Sequence, residues 1–200
     1  TPIIAGGHNA CVLHYIENNQ RLVDGDLVLM DVGAEYANWN ADMTRTIPVN
    51  GKFTDRQRDV YNSVLTVMRR ANEILRPGIL PSEYQQQVLG FMETELIRLG
   101  LIDAEEAKQQ DATKPLVKQY FMHSTSHHLG IDVHDVHAVC PPETPFTVGM
   151  VFTIEPGIYI REENLGIRLE NNFLIGETEN VDLMKNIPLE ADEIEALMAL

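Results

Sequence analysis

TIEPGIYIREENLGIRLENN, residues 153–172, reads as two short apolar strands folded about a polar turn. With the turn centred between Glu162 and Glu163, residues whose numbers share a constant sum face one another, and Glu155 stands opposite Glu170. Directly opposed side chains of an antiparallel pair lie about 4.5–5.5 Å apart at Cβ, where like charges destabilise the sheet. Two acids in that relation call for a cation between them. Side-chain alternation puts Arg168 on the face of Glu170, which makes it a candidate supporting partner for the acids.

The same arithmetic applies upstream to DVGAEYANWNADMTRT, residues 31–46. A turn centred between Tyr36 and Ala37 sets Asp31 opposite Asp42, and leaves Arg45 on the other face in a structural role. Aspartate is a poor strand former, so a second facing acid pair also needs a reason. Between the hairpins, FMHSTSHHLGIDVHDVH (residues 121–137) holds five of the seven histidines. In extended chain His123 and His127 share a face and His128 points away. His134 reaches the same place only if the chain bends at Gly130 and Asp132. Four carboxylates and an imidazole suit divalent Mn, Fe or Co better than a closed thiolate zinc site. Converging histidines beside such acids fit the roles of ligand, proton carrier and oxyanion donor.

The rest of the chain supplies the frame. Residues 10–16, 26–33 and 41–49 read as strands, as do 118–123, 150–160 and 166–175. Thr54 with Gln57 forms a capping-box pattern, and apolar residues then recur at helical spacing until Pro77-Gly78. A second helix opens at Ser82 and ends before Gly100. Residues 102–114 read as loop or short surface helix, and a last helix runs near 190–199. Strands, two helices, then strands indicate one α+β domain.

A net charge of −15 argues against nucleic acid and anionic membrane surfaces as partners. The two cysteines, Cys11 and Cys140, show no disulfide or C-x-x-C pattern, so free thiols in a reducing, cytoplasmic compartment are expected. No apolar run approaches the roughly 20 residues of a membrane span. The chain opens in strand without an initiator Met, and residues 1–200 are expected to be the C-terminal catalytic domain of a longer protein, truncated at its N-terminus.

The segment around Asp31 and Asp42, the run His123–Asp135, TIEPG (Thr153–Gly157) and GIRLENN (Gly166–Asn172) resemble, in this order, the motifs of the pita-bread metallopeptidases. Within them the likeness is to the aminopeptidase P (Xaa-Pro aminopeptidase) group, and it covers nearly the whole chain. The resemblance implies a pseudo-twofold antiparallel sheet with covering helices and two divalent ions, Mn2+ first, with Co2+, Fe2+ or Zn2+ as alternatives. It implies that Asp31 chelates one ion, that Asp42 and Glu170 bridge both, and that His127 and Glu155 complete the other. His14, His123 and His134 would line the pocket, with Glu155 as proton shuttle, His134 polarising the scissile carbonyl and Arg168 supporting the acids. The implied substrates are peptides with proline second, and the implied full-length form is a homo-oligomer. A prolidase of the same fold and a non-catalytic binding module are the alternatives. Two departures fall beside the ligands: Ser124 where glycine is common, and Asn171-Asn172 where at least one acid is common.

Overall fold

The computed structural model describes residues 1–135 and 143–199, so His137 and Cys140 lie outside the described residues. The first half runs β1 (Ile3–Gly6), a 3-10 turn (Gly7–Cys11), β2 (Leu27–Val32), β3 (Glu35–Tyr36), β4 (Trp39–Asn40) and β5 (Met43–Pro48). Helices α1 (Asp55–Ile74), α2 (Pro81–Arg98) and α3 (Ala104–Gln109) follow, then a 3-10 turn at Leu116–Gln119. The second half holds β6 (Val151–Ile154), β7 (Gly157–Ile160), β8 (Leu165–Arg168), β9 (Asn171–Leu174), β10 (Val181–Asp182) and α4 (Ala191–Met198).

Each half repeats one plan. A long hairpin interrupted near its middle carries a third strand on its outer part: β1-β2-β5 with ribbon β3-β4, and β10-β9-β6 with ribbon β7-β8. In the second half one register runs through both pieces, from Val151↔Leu174 and Ile154↔Asn171 to Gly157↔Arg168. Glu155 and Glu170 fall opposite one another at the interruption, as the sequence predicts. The first half differs from its expected register by two residues. Tyr36 pairs with Trp39 and Asp31 with Thr44, so the turn is centred between Ala37 and Asn38. Both have positive φ (52° and 64°), the geometry of a two-residue turn whose twist matches the strands it joins. A slip of two keeps side-chain parity, so Asp42 stays on the face of Asp31, diagonal to it rather than opposite.

Two further strands expected from the sequence do not form. Residues 10–16 lie at the end of a 3-10 turn and beyond it, because Ala10 is packed against β8; a Cβ on Gly166 would stand 2.4 Å from the Ala10 carbonyl oxygen. Residues 118–123 begin in the 3-10 turn after Pro115, where the Val117 carbonyl captures the amides of Tyr120 and Phe121.

Helix α1 starts at the expected capping box, in which Gln57 N donates to Thr54 Oγ1 at 3.2 Å and Thr54 N to Gln57 Oε1 at 2.9 Å. Val60, Val64, Val67, Met68 and Ala71 of α1 and Tyr84, Val88, Met92 and Leu96 of α2 share one core with Ile154, Ile158, Ile167 and Leu169, with α1 lying against β6, β7 and β8 and α2 packed on α1. Each such side chain contributes roughly 1.5–3 kcal/mol by leaving water. The helices thereby seal one side of the strands and leave the acid-bearing side for chemistry. Between the halves, Glu170 N donates to Thr44 O at 3.1 Å and Thr46 Oγ1 to Arg168 O at 3.0 Å, which sets β5 beside β8 and β9.

Candidate metal centre

Every expected ligand sits where a strand ends or breaks. Asp31 is near the end of β2, Asp42 immediately precedes β5, Glu155 lies between β6 and β7, and Glu170 between β8 and β9. His127 comes from an extended run laid along β6, fixed by Thr153 N to His127 O (3.0 Å) and Leu129 N to Val151 O (3.1 Å). Glu155 N donates to Thr125 O on the same run at 2.7 Å. Side chains at such breaks are freed from the ladder and can converge.

They do converge. His127 Nε2 lies 3.4 Å from Asp42 Oδ2, 3.6 Å from Glu155 Oε1 and 3.9 Å from Glu170 Oε1. Three sets of potential donor atoms fall within 4.8 Å of one another: Asp31, Asp42 and Glu170; His127, Glu155 and Glu170; and Asp42, His127 and His134. Glu170 is common to the first two sets, and Asp42 links Asp31 with His127. His134 arrives because the chain bends where expected: Gly130 N donates to Asp132 O (3.2 Å) and Asp135 N to His128 O (3.1 Å). Its ring centroid is 4.0 Å from that of His127. His134 therefore stands within ligand range as well as at the pocket wall.

A second layer holds these groups. Arg168 gives Nη2 to Asp31 Oδ2 (2.6 Å), Nε to Thr44 Oγ1 (3.1 Å) and Nη1 to Tyr159 OH (3.0 Å). His123 places Nδ1 2.8 Å from Ser124 O and Nε2 2.8 Å from Tyr159 OH. A carbonyl oxygen only accepts, so Nδ1 carries the proton and Nε2 accepts from the tyrosine. The same Nδ1 is 3.6 Å from Glu155 Oε2. Thr44 Oγ1 donates to Glu170 Oε2 at 2.7 Å. Arg45 points away from the acids, as expected, and binds Pro188 O, Glu170 O and Asn171 Oδ1. His14 is exposed, yet close enough to His123 for its charge to oppose protonation of that ring.

The electrostatics of this cluster are adverse in the absence of a cation. Burial raises Glu170 well above the ordinary carboxylate range, and Glu155, Asp42 and Asp31 push it further. Burial likewise lifts Glu155 to about 7, against the pull of His127 and Arg168. Asp31 is raised by burial and by Asp42, with Arg168 opposing. His127 loses charge stability through burial but gains more from Asp42 and Glu155, so its pKa rises. His123 is pushed down to about 4, chiefly by burial, and is neutral at pH 7. Glu170 Oε1 is buried and has no hydrogen-bond partner among the described residues. A buried carboxylate oxygen left bare among three other acids is the arrangement a divalent ion resolves, and oxygen donors with one imidazole suit such an ion. The donor set fits.

Thr44 and Tyr159 are not singled out by the sequence, and Asn172 stands there only as a departure. The alternation that selected Arg168 carries them too, since Thr44 shares parity with Asp42, Tyr159 with Glu155 and Asn172 with Glu170. Asn172 accepts from Asp42 N through Oδ1 (3.1 Å) and donates to Asp42 O through Nδ2 (2.6 Å). An acid there could only accept, so the amide is matched to the backbone it grips.

Comparison with known proteins bears on the fold and the family. The chain is 42% identical to the Xaa-Pro aminopeptidase of Haemophilus influenzae, over 98% of its own length and 47% of that protein's. It is 36% identical to human Xaa-Pro aminopeptidase 3, over 98% and 40%. Among solved structures, a variant of Escherichia coli aminopeptidase P in complex with substrate superposes with a TM-score of 0.89 at 40% identity, covering 99% of this chain and 47% of that one. The zinc-substituted E. coli aminopeptidase P in complex with product gives 0.88 at 40%, with the same coverage. The chain thus spans about half the length of the curated relatives it matches. Both the fold and the antiparallel halves described above are those of the pita-bread group. The sequence model of metallopeptidase family M24 matches residues 1–177, and this chain belongs to that family.

Proposed function

We propose that this chain is the C-terminal catalytic domain of a longer, cytoplasmic Xaa-Pro aminopeptidase, with Asp31, Asp42, His127, Glu155 and Glu170 holding two divalent ions, Mn2+ in the first place. The observation that carries the reading is the bare, buried Glu170 Oε1 at the meeting point of two donor sets. The relatives named Xaa-Pro aminopeptidase support the substrate class. The free, buried thiol of Cys11 supports a reducing compartment, and no described helix is long and apolar enough to cross a membrane. Exposed Tyr36 and Trp39 on the β3–β4 ribbon, with exposed Ile131 beside Asn40, support contact with further protein and a homo-oligomeric full-length form.

Held by Asp31, Asp42, His127, Glu155 and Glu170, two divalent ions would supply Lewis acidity for the scissile carbonyl and the attacking water. The protein's own groups do the rest. The surrounding carboxylates favour a cationic amino terminus, which directs cleavage to the first peptide bond. Glu155 receives the proton of the attacking water and passes it to the proline nitrogen, a tertiary amide that must be protonated to leave. His134, beside His127 at the pocket wall, donates to the carbonyl as negative charge develops there. His123, neutral and anchored by Tyr159 and Ser124 O, holds the opposite side of Glu155.

The test compares kcat/KM for Xaa-Pro, Xaa-Pro-Xaa and Xaa-Ala-Xaa peptides on the full-length, Mn-loaded protein. Release of the first residue from Xaa-Pro-Xaa is expected to dominate. A preference for the dipeptide would make the protein a prolidase, and a preference for alanine second would remove proline from the assignment.

A further inference from the structure

The 3-10 turn Leu116–Gln119 carries a cation that the chemistry above does not use. Lys118 is partly buried, donates from Nζ to the His123 carbonyl at 3.3 Å and lies 5.6 Å from the Phe121 ring centroid. Burial lowers its pKa, and among the described residues no carboxylate is paired with it. Lys52 and Lys108, by contrast, are each paired with a glutamate, and Lys114 and Lys185 are exposed. In a chain with 30 acids against 15 lysines and arginines, a desolvated ammonium without an acid is a conspicuous vacancy for an anion.

Its position says which anion. The carbonyl it holds belongs to His123, whose ring stands 3.6 Å from Glu155, and covalent geometry then keeps the ammonium within about 12 Å of that carboxylate. An extended peptide advances about 3.3–3.6 Å per residue, so a substrate cleaved beside Glu155 brings its own C-terminus into that range after two or three further residues. We propose that Lys118 binds the C-terminal carboxylate of short peptide substrates and so favours tripeptides and tetrapeptides with a free C-terminus. This deepens the peptidase reading and rests on it. A carboxylate that leaves water on entering the site needs a countercharge, and Lys118 supplies it.

The test uses the full-length, metal-loaded protein and an analogue of Ala-Pro-Ala whose scissile carbonyl is reduced to methylene, as free acid and as C-terminal amide. Calorimetric titration should show the acid binding at least roughly tenfold tighter than the amide, the scale of one charge-assisted contact. Lys118→Arg should keep that ratio, and Lys118→Ala should bring it close to one, because the countercharge to the carboxylate is then gone. With the cleavable parent peptides the change should appear in KM rather than kcat. Equal affinity for acid and amide, an undiminished ratio in Lys118→Ala, or no binding of either analogue overturns the proposal. An acid preference with no hydrolysis of the parents would remove the proposed activity and leave the role of Lys118 standing. Hydrolysis without an acid preference would do the reverse.

Discussion

Glu155 and Glu170 face each other in register across two strand breaks, whereas Asp31 and Asp42 stand diagonally and Asp31 already has a guanidinium 2.6 Å away. The side chain of Glu170 is 2% exposed and that of Asp31 22%. One pair therefore has a permanent cation beside it, in Arg168, while Glu170 keeps a bare buried oxygen among other acids. The difference locates the largest unmet charge, at Glu170.

The largest effect expected is at the residues common to two donor sets. Glu170→Ala and Asp42→Ala should each strip metal from the full-length protein and lower kcat/KM by more than about 10³-fold, a loss beyond that of one electrostatic donor. Elemental analysis after dialysis against Mn checks this, and undiminished metal in both variants would sink the site assignment. His127 touches both pairs, so His127→Ala should lose metal affinity as well. His134→Ala should instead keep metal while kcat falls on the order of 10²–10³-fold. The reverse pattern would show that ligand and wall have been exchanged, which the position of His134 within range of Asp42 makes a sharp question.

A subtler contrast lies in the stability of the metal-free protein. Glu170→Gln removes a carboxyl that burial and three acids make costly to ionise, and should raise the melting temperature. Asp31→Asn leaves Arg168 without its carboxylate, and should lower it. Each change is expected to be about 1–3 kcal/mol, or roughly 2–10 °C for a chain of this size. Differential scanning calorimetry with chelator present reads both, and shifts of the same sign would erase the distinction between the pairs.

The smallest effect is the pH slope. Glu155, at about 7 against an ordinary 4.5, binds its proton more tightly folded than unfolded, and Glu170 and Asp31 are raised in the same sense. The stability this gives is complete below the unfolded value and is lost as pH rises through the folded one. His127, also raised, adds to the same trend, while His123, depressed to about 4, works against it below pH 6.5. Metal-free protein should therefore become less stable from pH 4.5 to 7 by about 1–2 kcal/mol net, against the usual direction. Urea midpoints at the two ends measure it. Added Mn should reverse the slope, since its ligands must be deprotonated.

Much of the site was legible because strand alternation has a period of two and survives an error of two. The misplaced turn at residues 36–37 cost the exact partner of Asp31 but not its face. Asn38 is a residue type that accepts positive φ, but Ala37 takes one that its type does not advertise, so the true turn is only half announced locally. The strand predicted at 10–16 failed for a different reason. Cys11, Val12 and Leu13 suit a strand, but Ala10 is claimed by contact with Gly166, a neighbour far off in the chain. Asn172 was read as a departure and proves to be matched to its partner, which only the backbone of Asp42 in three dimensions reveals.

The grips on the first hairpin come from far along the chain: Arg168 reaches Asp31 across 137 positions, and Asn172 reaches Asp42 across 130. At about 5–20 residues per second of synthesis, the aspartates leave the ribosome on the order of ten seconds before the residues that hold them. Through that interval they are ordinary solvated acids, and no ion has a pocket to enter. A nascent chain interrupted before Glu170 never acquires one. The donor sets are thus closed late, and ion binding at these residues has to wait for the second half of the chain to emerge.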